Sequence, residues 1–173
     1  HEVEIIDFDN KAMTSASHTI PQQIFSSTHN NAFLVTSDEK SFDFKQSLDK
    51  KGVSLGELAN LNQAIALKYD RSKSLFTEAK AKNYKPVIDG RNINRYELAW
   101  AGQYLAYDVK NIHSCKRTDI FEANEKIFFR RVGDRLIATY DDKQFYALNT
   151  LVVITPQEQV DFSLKYLLGL INS

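Results

Sequence analysis

The chain has 173 residues, room for one domain of common size or for one domain with a fragment of a neighbour. Hydrophobic residues make up 43% of the sequence and 22 basic side chains balance 22 acidic ones, a composition that excludes a disordered chain. The one cysteine, Cys115, excludes an intramolecular disulfide. No apolar run reaches the roughly 20 residues of a membrane helix, and the charged start lacks a signal-peptide pattern. Together these features predict a cytoplasmic protein without a membrane partner.

The charges are unevenly distributed along the chain. Residues 80–143 carry 13 basic and 9 acidic side chains, whereas residues 1–79 carry 8 and 11, and residues 144–173 carry 1 and 2. A phosphate backbone responds to a local basic face more than to the total charge of a protein. A nucleic-acid-binding face is therefore expected in the middle segment.

The first fifty residues predict short extended segments joined by polar connectors. Alternation and β-branching predict a strand over residues 3–8, and a Ser/Thr-rich stretch predicts a second extended segment over 14–24. The remaining elements predicted here are a loop over 26–31, a short strand over 33–35 and a polar connector over 37–51. We place a domain boundary within residues 49–52.

A new unit is predicted from residue 54, where Ser54 and Glu57 have the spacing of a helix capping box. Residues 70–81 predict a helix or a loop, and we favour the helix. Asp89 and Gly90 predict a turn. Short extended segments are predicted over residues 61–67, 84–88, 93–98 and 104–107.

The clearest pattern lies in the last third of the chain. Strand-like runs over 126–132 and 135–140 flank Gly133 and Asp134, which predicts a hairpin with a two-residue type II′ turn. A third strand is predicted over 145–154. A helix follows over 161–171, and because apolar residues cover most of its surface we expect it to be well buried.

The sequence contains no pattern typical of a catalytic or metal site. No histidine lies three to five residues from another histidine or a cysteine, the spacing that metal sites use. His113 and Cys115 could share a strand face, but nothing supplies an orienting acid or an oxyanion hole, so an inert thiol is favoured. The glycines are too scattered for a phosphate loop. We expect no catalytic residue, metal or cofactor in this chain.

Six segments of the second half stand in a distinctive order: KPVIDGRNINRY at 85–96, YLAYD at 104–108, FEANEKIFFRR at 121–131, ATYD at 138–141, YALNT at 146–150 and LKYLLGLINS at 164–173. In this order they resemble the TaqI-like C-terminal specificity domain of bacterial restriction–modification adenine-N6 DNA methyltransferases. The resemblance extends more weakly to residues 54–76. Residues 1–48 look similar to the strands that precede this domain in the same enzymes.

The resemblance implies a target recognition domain that reads a DNA sequence. The implied fold is α+β, with a twisted, mainly antiparallel sheet from residues 84–154 and flanking helices. Residues 1–50 would end the preceding domain or form linker strands, and residues 51–173 would be the recognition domain, truncated at its C-terminal helix. The implied partners are double-stranded DNA and a methyltransferase domain of the same polypeptide that binds S-adenosylmethionine. A Type II parent enzyme is implied, with a fused nuclease left open.

Candidate DNA contacts are the basic and polar residues Arg91, Asn92, Arg95, Lys116, Arg117, Arg130, Arg131 and Arg135. The planar arginine fork can donate twice to guanine or to phosphate, and asparagine can pair with adenine. Lys116 and Arg117 suit phosphate contacts, which position DNA without reading it. Strand alternation predicts that Arg130 and Arg131 face opposite sides.

Each candidate has a plainer alternative. Arg91 could be an exposed loop residue bridged to Asp89, and the hairpin arginines could pair with Asp134, Asp141 or Asp142. Core packing is favoured over base stacking for Trp100, Tyr104 and Tyr107, and a solvated face is favoured for Lys80, Lys82 and Lys85. Alternation predicts that one of Phe128 and Phe129 is buried and that the other packs under a helix.

Other functions also remain open. One is a specificity subunit of a Type I system, which would carry two such units in one chain. Another is a module that docks a partner protein and never contacts DNA, which the neutral total charge favours slightly. A stand-alone enzyme is disfavoured because no acid–base or metal pattern is found.

Overall fold

The structure is a computed structural model that describes residues 1–9, 11–26, 39–158 and 162–173. The chain divides into two compact units, His1–Ser54 and Leu55–Ser173. Mostly antiparallel sheets and a few helices make up the described residues, which confirms the predicted α+β class. The assignment of the first unit to the end of a preceding domain stays a prediction.

The first unit contains an antiparallel hairpin followed by helices. Strands β1 (Glu2–Asp9) and β2 (Thr14–Pro21) pair along their full length. The second extended segment ends earlier than predicted, because helix α1 (Gln23–Ser26) follows Pro21. The polar connector predicted over 37–51 was wrong, since helix α2 (Glu39–Lys51) occupies most of it. The strand predicted over 33–35, and the loop predicted over 26–31 apart from Ser26, lie outside the described residues.

The polar composition of α2 concealed its helical character. Lys45 and Asp49 form an ion pair one turn apart, a spacing that supports a helix. Lys50 and Lys51 lie in the last turn, where basic side chains interact favourably with the negative end of the helix dipole. Phe42 of this helix is buried.

The second unit is built from short strands and helices. These are, in chain order, α3 (Leu55–Leu58), β3 (Ala59–Gln63), β4 (Ala66–Leu67), β5 (Leu75–Phe76), β6 (Tyr84–Ile88), β7 (Ile93–Asn94), β8 (Glu97–Leu98), β9 (Tyr104–Ala106), β10 (Ile112–Ser114), α4 (Asp119–Glu122), β11 (Lys126–Arg130), β12 (Ala138–Asp141), β13 (Tyr146–Ala147), β14 (Leu151–Pro156) and α5 (Leu164–Asn172). One sheet has the order β12-β11-β14-β3 and is antiparallel throughout. A second four-stranded sheet has the order β13-β6-β9-β5, in which β13 and β6 run parallel, and the pairs β10-β4 and β7-β8 form two-stranded sheets.

The four-stranded sheet β12-β11-β14-β3 separates two hydrophobic clusters. Because side chains alternate along a strand, Phe128 and Val153 point into a cluster shared with the second sheet, whereas Ile127 and Ile154 point to the opposite face. Leucines of α5 cover that opposite face. The prediction for the adjacent phenylalanines is confirmed: Phe128 is fully buried and Phe129 packs against the cluster that contains α5.

Helix α5 is less buried than its composition predicted. Its leucines at 164, 167 and 168 are buried, but Tyr166 and Leu170 are exposed. The helix therefore buries one face. Its last residue, Asn172, is also buried, and its amide bonds both backbone groups of Ala138 on the edge strand β12, at 2.9 Å and 3.0 Å.

Two local predictions for the middle of the chain were wrong. The helix favoured over 70–81 is absent: Asp70 caps a 3-10 turn over Arg71–Lys73, and β5 then pairs with β9. The two-residue turn at Gly133 is also absent, since β11 ends at Arg130 and β12 begins at Ala138. A type II′ turn requires a positive φ at its first central residue, which Gly133 does not have.

The sheet also differs in extent from the prediction. The strand predicted over 145–154 divides into β13 and β14, which belong to different sheets. The chain turns between them, where the Leu151 N–H donates to the Leu148 carbonyl. Strands β3 and β5 come from outside residues 84–154. The sheets therefore include segments whose pairing with that region the local sequence patterns did not predict.

A fully buried ion pair holds β11 against β12. Lys126 Nζ lies 2.7 Å from Asp141 Oδ2 and also donates to the Phe121 carbonyl at 2.7 Å. The Asp141 carboxylate accepts the backbone N–H groups of Lys143 and Phe145 as well. This buried network thus ties two strands, α4 and the segment after β12 together.

Candidate functional site

A cleft of ≈ 650 Å³ opens in the second unit where β6 and β11 end. Its charged and polar lining, hereafter the arginine cleft, consists of Arg71, Asp89, Arg91, Arg130, Arg131, Asn149 and Thr150. Four arginines and one aspartate belong to this lining, so the cleft has a net positive charge. Such a concave cationic surface attracts anions more strongly than the neutral total charge of the chain would suggest.

The turn after β6 presents Arg91. Asp89 Oδ1 accepts the Arg91 backbone N–H at 2.9 Å, and Asn92 Oδ1 accepts the Asp89 N–H at 2.8 Å. This reciprocal pair of bonds is a capping box on the 3-10 turn over Gly90–Asn92. The Thr150 hydroxyl accepts the Gly90 N–H at 2.9 Å and fastens the turn to the segment between β13 and β14.

Asp89 holds two arginines at once. Its side chain is 5% exposed, and its carboxylate accepts Arg91 Nη2 at 2.9 Å, Arg91 Nε at 3.3 Å and Arg71 Nη1 at 3.0 Å. Burial by itself would raise the pKa of this carboxyl. Hydrogen bonds from the side chain and backbone of Arg91, its charge, and the hydrogen bond from Arg71 outweigh burial and lower the pKa of Asp89 below its ordinary value of 3.8.

We expect the exchange Asp89→Asn to lower the free energy of unfolding by about 1–3 kcal/mol at neutral pH, because it removes hydrogen bonds to charged groups. A carboxyl with a lowered folded-state pKa stabilises the protein fully above its ordinary pKa. This stabilisation is lost as the pH falls through the folded-state value. The stability difference between wild type and D89N should therefore be constant near neutrality and shrink below pH 3.8, as measured by urea unfolding across pH. A difference independent of pH would contradict the assignment.

Arg130 and Arg131 both line the cleft. Strand alternation predicted that they face opposite sides; β11 ends at Arg130, so the alternation does not extend to Arg131, and the opposite facing stays a prediction. Arg130 is half-buried and donates from Nη2 to the Ile93 carbonyl at 2.6 Å. Its buried Nε has no hydrogen-bond partner among the described residues. Arg131 is exposed, and its backbone N–H donates to the Thr150 carbonyl at 3.0 Å.

Asn92 and Arg95 occupy different settings from Arg91. The Asn92 amide is engaged on both sides, because Nδ2 also donates to the Ala99 carbonyl at 3.1 Å. Its side chain therefore shapes the turn that carries Arg91. Arg95 is exposed between β7 and β8 and does not line the arginine cleft.

Three further predicted contacts lie outside the cleft lining. Arg117 pairs with Asp119 and donates from Nη1 to Asn62 Oδ1 at 3.3 Å. Lys116 is exposed beside it. Arg135 pairs with Asp134 at 3.2 Å, the plainer alternative weighed for the hairpin arginines. The structure thus brings Arg91, Arg130 and Arg131 together in the cleft lining. Lys116, Arg117 and Arg135 are not part of that lining.

Sequence reasoning missed two members of the cleft. Arg71 reaches Asp89 from 18 residues away, across a segment for which a helix was favoured. Asn149 lies in the YALNT run that carries part of the family resemblance, but its residue type and spacing suggested no role. Among the described residues its side-chain amide has no hydrogen-bond partner.

The aromatic residues pack with one another. Trp100 contacts Tyr104 edge-on, with ring centroids 5.2 Å apart, and lies 5.6 Å from Phe145. Tyr107 packs on Tyr146. The core role favoured for these residues is wrong for Trp100, which is 37% exposed, whereas Tyr104 and Tyr107 are half-buried. Lys85 pairs with Glu122 at 3.1 Å, on a separate surface.

Within the part of the chain that the structure describes, no group of three or more His, Cys, Asp or Glu side chains could hold a metal ion. Burial raises the pKa of the Cys115 thiol, an effect opposed by Arg117, so the thiolate is disfavoured. Across the same described residues, each helix is too short or too polar to cross a bilayer.

Comparison with known proteins gives two matches. A protein of Methanocaldococcus jannaschii, whose name describes it as a candidate type II restriction enzyme and methyltransferase, is 30% identical over 106 residues. The match covers 59% of this chain and 9% of that relative, so the chain corresponds to a small part of the relative's length. The family model of the TaqI-like C-terminal specificity domain matches residues 85–173, about half of the chain.

The family match includes most of the arginine cleft. Arg91, Arg130, Arg131 and Asn149 lie within the matched residues, whereas Arg71 precedes them. The sequence resemblance and the α+β fold agree with this match over the same segments. The chain belongs to the family of TaqI-like C-terminal specificity domains.

Proposed function

We propose that this domain reads a DNA sequence for a Type II restriction–modification enzyme. In the proposal it positions duplex DNA for adenine-N6 methylation by a methyltransferase domain of the same polypeptide, in the cytoplasm. That domain would bind S-adenosylmethionine and perform the chemistry, and the present chain would supply recognition alone. The full-length parent would be a site-specific adenine methyltransferase, with an endonuclease activity as a further possibility for the same polypeptide.

The arginine cleft is the observation that carries the proposal. Arg71, Arg91, Arg130 and Arg131 all line it, and Arg71 and Arg91 share the carboxylate of Asp89. Guanidinium groups are well suited to phosphate oxygens and to guanine edges, because their planar fork matches both acceptor geometries.

The predicted DNA contacts that lie outside the cleft lining are given supporting roles in the proposal. Arg95, Lys116, Arg117 and Arg135 are exposed outside the cleft lining and are proposed as phosphate contacts. Phosphate contacts set the register of a protein on a duplex without reading sequence. Asn92, whose amide is engaged with the backbone, is proposed to act by shaping the Arg91 turn.

We expect the chain to bind duplex DNA weakly and with strong salt dependence. One half of a clamp should show dissociation constants on the order of 10⁻⁴–10⁻⁶ M, and its log affinity should fall linearly with log salt. Fluorescence anisotropy with a labelled mixed-sequence duplex measures both quantities. No binding to any duplex below about 50 mM salt would contradict the proposed function, because the free energy gained by releasing counterions is greatest at low salt.

A further inference from the structure

The Arg91 side chain is exposed yet held in one orientation. The side chain is 81% exposed, but its Nε and Nη2 both donate to the Asp89 carboxylate. An exposed arginine ordinarily samples many rotamers, and restricting it costs conformational entropy. Here the restriction comes from a buried partner that is itself fixed by the capping box and by Arg71.

The contact with Asp89 occupies one edge of the guanidinium and leaves the other edge unoccupied. Because Nε and one Nη2 hydrogen face Asp89, the Nη1 hydrogens and the second Nη2 hydrogen remain. Among the described residues Nη1 has no hydrogen-bond partner. The end of the side chain therefore presents two parallel N–H donors from a fixed position in the arginine cleft.

Arg131 gives a contrast within the same cleft. Its guanidinium is exposed and has no hydrogen-bond or ion-pair partner within the described part of the chain. A phosphate accepts hydrogen bonds from many directions, so a mobile cation suffices for it. Guanine presents O6 and N7 side by side in one plane, and discriminating this edge requires donors in a defined geometry.

We propose that Arg91 reads a guanine through its free Nη1–Nη2 edge, with Asp89 as a positioning residue and Arg131 as a phosphate contact beside it. The inference rests on the proposed function and deepens it, because it assigns base reading to one arginine of the cleft. Arg71 supports the arrangement because its Nη1 donates to Asp89 Oδ2, the oxygen that also accepts from Arg91 Nη2.

A selection from a randomised duplex library at low salt tests the assignment. We expect wild type to enrich sequences with a guanine at one position. R91A should lose the preference at that position and keep the others. R91K retains the charge but lacks the planar fork, so it should retain binding while its guanine preference weakens. R131A, the matched control, should bind all sequences less well and keep the guanine preference.

A modified base sharpens the test. In the enriched duplex, 7-deazaguanine removes the N7 acceptor at the selected position. We expect this to weaken wild-type binding by about 5-fold or more, within the range of a bidentate base contact. The same substitution should leave R91A binding unchanged. D89N, which keeps the charge of Arg91 but not its orientation, should bind mixed DNA at least as well as wild type while its guanine preference declines.

The outcomes separate this inference from the proposed function. If R91A enriched the same bases as wild type, or if wild type bound DNA without any base preference, the assignment of Arg91 would be overturned and DNA binding would stand. If D89N kept the full guanine preference, the positioning role of Asp89 would be rejected. If wild type bound no duplex at all, the proposed function itself would fail.

Discussion

Replacing Lys126 with methionine is expected to lower the free energy of unfolding by about 3–5 kcal/mol, because it leaves the buried Asp141 carboxylate without its ionic partner. Both side chains are excluded from solvent, at 0% and 1% exposure. Burial lowers the pKa of Lys126, and the hydrogen bond and charge of Asp141 oppose that effect. Each charge therefore depends on the other, and removing one member leaves the other buried without an ionic partner.

Urea unfolding followed by circular dichroism measures this destabilisation as a fall in the midpoint. The double variant K126M/D141N should be destabilised less than the single variant, since no charge then remains buried without a partner. The control K82M exchanges an exposed lysine and should stay within about 0.5 kcal/mol of wild type. A K126M midpoint equal to that of wild type would show that the ion pair makes no net contribution.

The second large effect is expected on DNA binding. The double variant R91A/R131A removes two cations from the arginine cleft and should weaken binding to duplex DNA by at least about 30-fold. The dependence of log affinity on log salt should also become shallower, by about 0.9 for each DNA phosphate that the variant no longer neutralises. Anisotropy titrations at several salt concentrations provide both values.

The control for this experiment is K80A/K82A. It removes the same charge from exposed lysines of the basic middle segment that do not line the cleft. We expect its affinity to stay close to that of wild type, and both variants should keep cooperative unfolding. Equal weakening by the two double variants would mean that total charge, and not the arginine cleft, governs binding.

Local patterns predicted the strands more reliably than the connections between them. Alternation predicted that Phe128 and Phe129 lie on opposite faces, which is confirmed, because period-two packing depends only on neighbours in sequence. The same rule makes no statement about Arg131, because it applies only while the strand continues, and β11 ends at Arg130. Where a strand ends depends on its hydrogen-bonding partners in other segments.

The sequence by itself determined the α+β class, the order of the family segments and the arginines Arg91, Arg130 and Arg131 as candidates. These depend on residue type and short spacing, which are visible along the chain. Only the tertiary structure decided that Arg71 and Asn149 join them and that both hairpin arginines enter one cleft. The reason is that convergence depends on the pairing of distant strands, and burial of Asp89 between segments then orients the side chains.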